Sequence, residues 1–247
     1  MFWLYCIVIV TGLTLRRGWA DREMRRFLFE NSLSVFFLTL FLAALLGQSL
    51  AGQHAYNAEQ VAHGGEALSW RDYVFSTDFG GAVLENWQSE FLQFTLFILA
   101  TIWLVQRGSN ESKQLGDAGL ETKEQQRIGS EARAGSPLWA RVDDWRTRIY
   151  EHSLVIAMTA IFFASWTVQS LNNWRQFNEE QLAHDESTIG WGSYLVNADF
   201  WERTLENWQS EFLAVGTLAV FTIYLRERGS PESKPVGAPH DETASSG

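Results

Sequence analysis

The sequence has little cysteine and little charge. Cys6 is the single cysteine among 247 residues, which excludes a disulfide framework within one chain and a thiolate metal cluster. The net charge is −10, and no basic patch is interleaved with stacking aromatics, so we expect no nucleic-acid partner. No nucleophile elbow, phosphate-binding loop or dinucleotide fingerprint is present. The sequence therefore predicts neither an enzyme nor a cofactor.

Apolar residues, by contrast, are collected into four blocks, at 33–50, 86–105, 154–171 and 207–225. The first and third blocks contain no charged residue, and the second and fourth contain one each, Glu90 and Glu211. A bilayer core about 30 Å thick needs roughly 20 residues of helix. The blocks predict four transmembrane helices, and buried helices of a soluble protein are the alternative.

The second notable feature is an internal repeat with a constant offset of 121 residues. The octapeptide ENWQSEFL occurs at 85–92 and again, unchanged, at 206–213. Between 30–113 and 151–234, 35 of 84 positions are identical without a gap. A fixed period of this kind is the signature of repeated structural units, and here it indicates a duplication.

The predicted organisation follows from the repeat and the blocks. Repeat unit 1 spans 25–113, a linker spans 114–145, repeat unit 2 spans 146–234, and a disordered tail spans 235–247. The apolar and basic prefix, 1–23, either lies upstream of a true start at Met24 or adds a fifth, marginal span. The fold class is an all-α membrane protein, in which two parallel two-helix repeats form a pseudo-twofold four-helix bundle.

Basic residues set the predicted orientation. Sixteen lysines and arginines flank the repeat units or lie in the linker and tail, whereas the loops inside the units carry only Arg71, Arg175 and Arg203. By the positive-inside rule, linker, tail and termini are cytoplasmic and the acidic loops extracytoplasmic, in a cell inner (plasma) membrane. The lipid bilayer is then the first partner.

The stretch from 109 to 136, which includes most of the linker, and the stretch after Gly229, which includes the tail, are rich in Gly, Ser, Glu and Gln and predict disorder. From about 139 to 150, apolar residues recur at helical spacing. They predict one short amphipathic helix at the inner interface.

On a helix the octapeptide places its polar residues on one arc, with Glu90 about one turn inside the apolar boundary. We predict an outer-leaflet polar cluster of Gln48, Glu90, Gln169 and Glu211, whose carboxyl pKa would be raised by desolvation. Such a cluster either responds to protons or cations, or holds the helices together by hydrogen bonds.

Two further constellations are repeated. Glu59 with His63 and Glu180 with His184 have i, i+4 spacing, which is weak support for a divalent-metal site. The alternative is that these residues attach the loop helix to the membrane-proximal surface. The predicted interfacial anchors are Trp70, Tyr73, Trp87, Trp191, Tyr194 and Trp208. Asp78 and Asp199 are candidate N-caps, and the pairs Gly64-Gly65 and Gly80-Gly81 are turn signals.

The octapeptide, the Arg-Gly-Ser-x-Glu-Ser-Lys run after each unit and the opening Met24-Arg25-Arg26-Phe27-Leu28 resemble a family of small bacterial membrane proteins catalogued only as a domain of unknown function. The resemblance covers about 24–234 and implies no activity, so no catalytic residue follows from it.

Three functions are compatible with these patterns. A structural or interaction module, as a homo-oligomer or with a membrane partner protein, would use the octapeptide for packing and docking. A small proton- or cation-linked transporter or channel would titrate Glu90 and Glu211. A membrane enzyme or metal site would cluster the loop histidines.

Overall fold

The computed structural model describes residues 19–244, and this part of the chain contains ten α-helices and no strand. The predicted marginal span near the N-terminus lies outside the described residues. In chain order the helices are α1 (Trp19–Glu30), α2 (Ser32–Ala62), α3 (Trp70–Val74), α4 (Thr77–Trp103), α5 (Lys123–Gln126), α6 (Leu138–Arg141), α7 (Trp145–Glu151), α8 (Ser153–Ala183), α9 (Trp191–Tyr194) and α10 (Ala198–Tyr224). The all-α class is as predicted.

The four long helices begin and end at the 121-residue offset. Helices α2 and α8 have 31 residues each, and α4 and α10 have 27 each. Helices α2 and α8 continue past the C-terminal ends of their predicted apolar blocks, because Gln48-Ser49-Leu50 and its repeat continue the helix instead of ending it. Helices α4 and α10 begin nine residues before their blocks. The segments between the long helices of each repeat are therefore 63–76 and 184–197, much shorter than the roughly 35 residues that separate the predicted apolar blocks.

The described residues group into two compact units, one ending at Val74 and one beginning at Phe75. In the first unit, α3 packs on α2. The indole of Trp70 donates to the Ser49 hydroxyl at 3.0 Å, and Leu68 exchanges hydrogen bonds with the Asn57 amide. Gly52 is required here, since a Cβ at this position would lie 2.3 Å from the Tyr73 hydroxyl.

In the second unit, α4 runs antiparallel to α8 and also packs on α10. The helices approach closely at Gly80 and Gly81, where an added Cβ would lie 3.1 Å from Asn172 Nδ2 and 3.3 Å from Asn173 Oδ1. These glycines are helical residues of α4, which corrects the prediction of a turn. Their small size, rather than backbone freedom, is what the packing uses.

The N-caps also differ from the prediction. Ser76 caps α4 by accepting from the Phe79 amide at 3.3 Å, and Asn197 caps α10 by accepting from the Asp199 amide at 2.9 Å. Asp78 and Asp199 are instead in the first turn, where a carboxylate still favours the positive end of the helix dipole.

The predicted amphipathic helix at 139–150 is two helices, α6 and α7. Asp144 interrupts it, because its carboxylate caps α7 by accepting from the Arg146 amide at 2.8 Å. The rings of Trp139 and Trp145 nevertheless meet edge to face, with centroids 6.2 Å apart.

The linker and tail are built of hydrogen-bonded turns, where the sequence predicted disorder. The two Arg-Gly-Ser-x-Glu-Ser-Lys runs fold alike. Ser112 Oγ accepts from the Gln106 amide and Ser233 Oγ accepts from the Glu227 amide, both at 2.9 Å. These serine hydroxyls accept the backbone hydrogen bonds that a helix or sheet would otherwise provide. Composition alone does not show that a serine will act in this way.

The lysine of each run then closes the following segment. Lys113 Nζ donates to the Gly119 carbonyl at 2.8 Å and pairs with Glu121. Lys234 is 1% exposed and donates to the carbonyls of Pro239, His240 and Glu242, each at 3.0 Å. The tail is thereby folded back as far as Ala244, whose amide donates to the Ser109 carbonyl at 3.1 Å.

The two runs also meet each other at equivalent positions. The Asn110 amide donates to the Pro231 carbonyl at 3.0 Å, and the side chains of Glu111 and Glu232 share a hydrogen bond. Burial raises the pKa of Glu111 above its ordinary value, and the neighbouring charge and hydrogen bond of Glu232 raise it further. Two carboxyl groups in contact favour one shared proton.

Replacing Glu111 by glutamine is expected to raise the melting temperature at pH 7, because the amide keeps a hydrogen bond without the like charge. Since the folded state holds this proton more tightly than the unfolded state, native stability falls as pH rises from 4.5, the ordinary carboxyl value, through the folded pKa. The advantage of E111Q should vanish below that pH. Thermal unfolding at several pH values measures it.

The exposed Glu227 provides a control, and E227Q should leave the melting temperature unchanged. Equal pH profiles for E111Q and the native protein would show that the pair carries no shared proton.

Candidate functional site

The octapeptide of α4 lies where α4, α8 and α10 meet. Gln88 is 0% exposed; its amide donates to the Glu85 carbonyl at 3.1 Å, and its Oε1 accepts from the Trp208 indole at 2.7 Å. A buried side-chain amide without hydrogen-bond partners would cost free energy, and the Trp208 indole supplies the donor that the Gln88 oxygen needs. The first copy of the octapeptide thus binds the second copy through a residue pair.

Glu85 is the centre of a polar network at the same end of these helices. Its Oε1 accepts from Asn173 Nδ2 at 2.6 Å and lies 3.7 Å from Arg203 Nη1. Arg203 Nε also donates to Asp199 at 3.3 Å, and the Tyr194 hydroxyl donates to the other Asp199 oxygen at 2.7 Å. The network connects α4, α8, α9 and α10.

Tyr194 is 0% exposed, and its phenol is held protonated. Burial raises the pKa of Tyr194 above its ordinary value, and the hydrogen bond and charge of Asp199 raise it further. The hydroxyl is therefore a permanent donor in the network. We assign it to structure rather than to proton transfer.

Asn173, Arg203 and the central role of Glu85 were not predicted from the sequence. The repeat does hold a signal for two of them, since Gly52 and Ala82 stand where the second unit has Asn173 and Arg203. Arg203 is also one of only three lysines or arginines that lie between the two apolar blocks of a repeat unit. Positions at which the copies differ in polarity could have indicated this network.

The predicted polar cluster is partly brought together. The Glu211 carboxylate interacts with the Ser89 side chain and with the charge of Glu90. Gln169 is 0% exposed, and neither of its side-chain polar atoms has a hydrogen-bond partner among the described residues. Gln48 belongs to the other compact unit. The role of the cluster stays a prediction.

The two copies of the octapeptide differ in environment. In α4 the face formed by Gly81, Glu85 and Gln88 is turned toward α8 and α10. The same face of α10 forms an open groove, lined by Glu202, Leu205, Glu206, Trp208, Gln209 and Phe212. Gln209 is exposed where Gln88 is fully buried.

The histidines predicted as metal ligands lie at the ends of α2 and α8. His63 Nδ1 contacts the Glu59 carbonyl at 2.9 Å, and His184 Nδ1 contacts the Glu180 carbonyl at 2.8 Å. Both rings thus interact with backbone of their own helix. Within residues 19–244 no group of three or more His, Cys, Asp or Glu side chains is placed to hold a metal ion.

The predicted interfacial anchors need correction for the tyrosines. Tyr73 and Tyr194 are buried in protein, so neither ring can anchor in lipid headgroups. The indoles also find protein partners: Trp191 donates to Ser170 at 3.1 Å, as Trp70 does to Ser49. Each indole N–H is satisfied within the protein while its ring stays exposed, with Trp70 45% and Trp191 36% exposed, so the rings remain available at an interface. Trp87 stays exposed.

These features define an all-helical protein with two helices, α2 and α8, that are long and apolar enough to cross a bilayer among the described residues. Helices α4 and α10 do not meet that criterion, because the polar octapeptide occupies their middle. Residues 24–245 match DUF6766, described as a domain of unknown function, and the chain belongs to this family. No curated protein and no solved structure matches the chain.

The network makes Glu85 and Glu206, the same residue of the two octapeptides, a matched pair. We expect Glu85→Ala to destabilise the fold by about 2 kcal/mol, because Asn173 and Arg203 lose a charged partner. Glu206 has no side-chain hydrogen bond or ion pair within residues 19–244, so Glu206→Ala should change little. Thermal unfolding in dilute detergent solution measures both, and equal effects would contradict a role specific to Glu85.

Proposed function

We propose that the chain is a multi-pass membrane protein of the bacterial inner membrane and acts there as an interaction module. Helices α2, α4, α8 and α10 are its four spans; 27 residues of helix extend about 40 Å, enough for a bilayer core. The sixteen flanking basic residues support a cytoplasmic linker and tail and extracytoplasmic acidic segments.

The difference between the two octapeptides carries the proposal. In α4 the residues Glu85 and Gln88 bind side chains of α8 and α10, which fits a role in helix packing. The equivalent residues of α10, Glu206 and Gln209, are exposed along an open groove. A surface that packs a helix in one copy is suited to bind a helix in the other.

The expected occupant is a second copy of this chain. The face of α4 is covered in part by α8, which is the first long helix of a repeat unit. A second copy of the chain would bring the same helix and could offer it to the groove of α10. Leu205 and Phe212 supply apolar contact beside the polar groups, and both are exposed. Small apolar contacts with a few interhelical hydrogen bonds are what drives helix association in lipid.

The test is self-association in detergent and in lipid nanodiscs. We expect the native protein to dimerise and Glu206→Ala with Gln209→Ala to weaken the dimer by roughly tenfold, since interhelical hydrogen bonds contribute about 0.6–2 kcal/mol each. The matched double variant Glu85→Ala with Gln88→Ala should lower the melting temperature instead. A native protein that is monomeric at all concentrations would sink the proposal.

A second candidate is a proton- or cation-linked transporter or channel. The interaction of Glu211 with the charge of Glu90 favours it, because equivalent carboxylates of both repeats then adjoin each other. Ionisable groups within membrane spans are costly and commonly functional. A conduction path would need a water-filled route beside these two groups.

Proteoliposomes with a pH-sensitive dye inside separate this candidate from the first. Transport predicts a proton or cation flux that Glu90→Gln with Glu211→Gln abolishes and Glu202→Gln with Glu206→Gln preserves. If the first double variant changes neither flux nor thermal stability, Glu90 and Glu211 serve neither transport nor packing.

A further inference from the structure

A cavity of about 900 Å³ lies between the end of α4, the start of α8 and the turns of the linker. Ile102 and Tyr150 form part of its wall on the helix side. In the proposed topology this is the cytoplasmic surface of the bilayer, where lipid headgroups lie. The cavity is remote from the octapeptides and has no part in the function proposed above.

Cationic side chains line the linker side of the cavity. Lys123 lines the cavity and is paired at 2.7 Å with Asp143, which is not part of the lining. The guanidinium groups of Arg127 and Arg133 also line it, and neither has a hydrogen bond or ion pair with any residue in the described range 19–244. Two uncommitted guanidinium groups offer the planar donor geometry that phosphate oxygens accept.

The turns hold these arginines in place. A capping box fixes the start of α5, with Thr122 and Gln125 each bonding the backbone of the other. Arg127 ends this helix in the left-handed region, at a φ of 55°, and the Arg133 amide donates to Ser136 Oγ at 2.9 Å. The cavity wall is therefore built from ordered backbone.

The remaining residues of the lining favour a lipid over a soluble phosphate as the ligand. Leu120, Ile128 and Pro137 join Ile102 in an apolar wall. The adjoining surface is also apolar, with Leu138 76% exposed and Trp145 62% exposed. A small hydrophilic phosphate gains nothing from such a wall, whereas the glycerol and first acyl carbons of a phospholipid do.

We propose that this cavity binds the phosphate headgroup of an anionic phospholipid from the cytoplasmic leaflet, held by Arg127 and Arg133 with its acyl chains toward Ile102. The site rests on the proposed membrane placement and not on self-association. Basic pockets beside spans on the cytoplasmic side have the chemistry for such headgroups. Glu121 in the lining does not cancel it, since Glu121 is paired with Lys113, and the two arginines outnumber the remaining carboxylate, Glu151.

The experiment is native mass spectrometry of the full-length protein, titrated in detergent with phosphatidylglycerol or phosphatidylcholine. Phosphatidylglycerol should bind more tightly to the native protein. Arg127→Gln with Arg133→Gln should weaken it about 30-fold, or roughly fivefold for each cation removed near an anionic lipid. Arg107→Gln with Arg148→Gln removes the same charge outside this cavity and should leave binding within about twofold.

Three results would overturn the site. Equal losses in both double variants would indicate diffuse surface attraction. Glycerol 1-phosphate binding as tightly as the lipid would indicate a soluble phosphate ligand. Equal affinity of the native protein for both lipids would exclude headgroup recognition, even if the double variant fails to fold. If the protein inserts into nanodiscs and shows one of these three results, the lipid site is wrong and the membrane placement stands. If it fails to insert, both the membrane placement and the lipid site are wrong.

Discussion

The hydrogen bond from the Trp208 indole to Gln88 sets the relation between α4 and α10. Gln88 is fully buried, so its amide must find partners in the protein, and the packing of α4 on α10 brings the indole within 2.7 Å of its Oε1. The glycines at 80 and 81 let α8 approach closely enough for Asn173 to reach Glu85. Directional polar contacts of this kind fix register and rotation, which apolar packing in lipid leaves loosely determined.

Much of the fold could be predicted from the sequence, because its strongest signals are long-range and redundant. The constant offset and the apolar blocks indicate four long helices and their order. The ends of the helices were less predictable. Polar residues such as Gln53 and Asn57 extend α2 because their side chains bond the backbone of the returning segment at Leu68, and such tertiary partners have no local signature.

The candidate site was predictable only in part, for the same reason. Glu90 and Glu211 were identified by their cost in an apolar block. Glu85 lies five residues before Glu90, and its role depends on Arg203 and Asn173, which lie in other helices. The turns of the linker and tail escaped prediction because Ser, Gly and Lys are common in disordered chains. Their order here comes from buried contacts such as the Lys234 ammonium on three carbonyls.

The Glu85 network spans both repeats, yet it contains no copy of itself. Asn173 and Arg203 face a glutamate of the first repeat, while Gly52 and Ala82 offer no equivalent to the glutamate of the second. The halves are therefore no longer interchangeable parts. A chimera built from two first repeats would keep every octapeptide and still lose the network. Two second repeats would keep the network's residues but place Glu202 where Gly81 admits α8. The two repeats descend from one duplicated unit and have since taken on different roles.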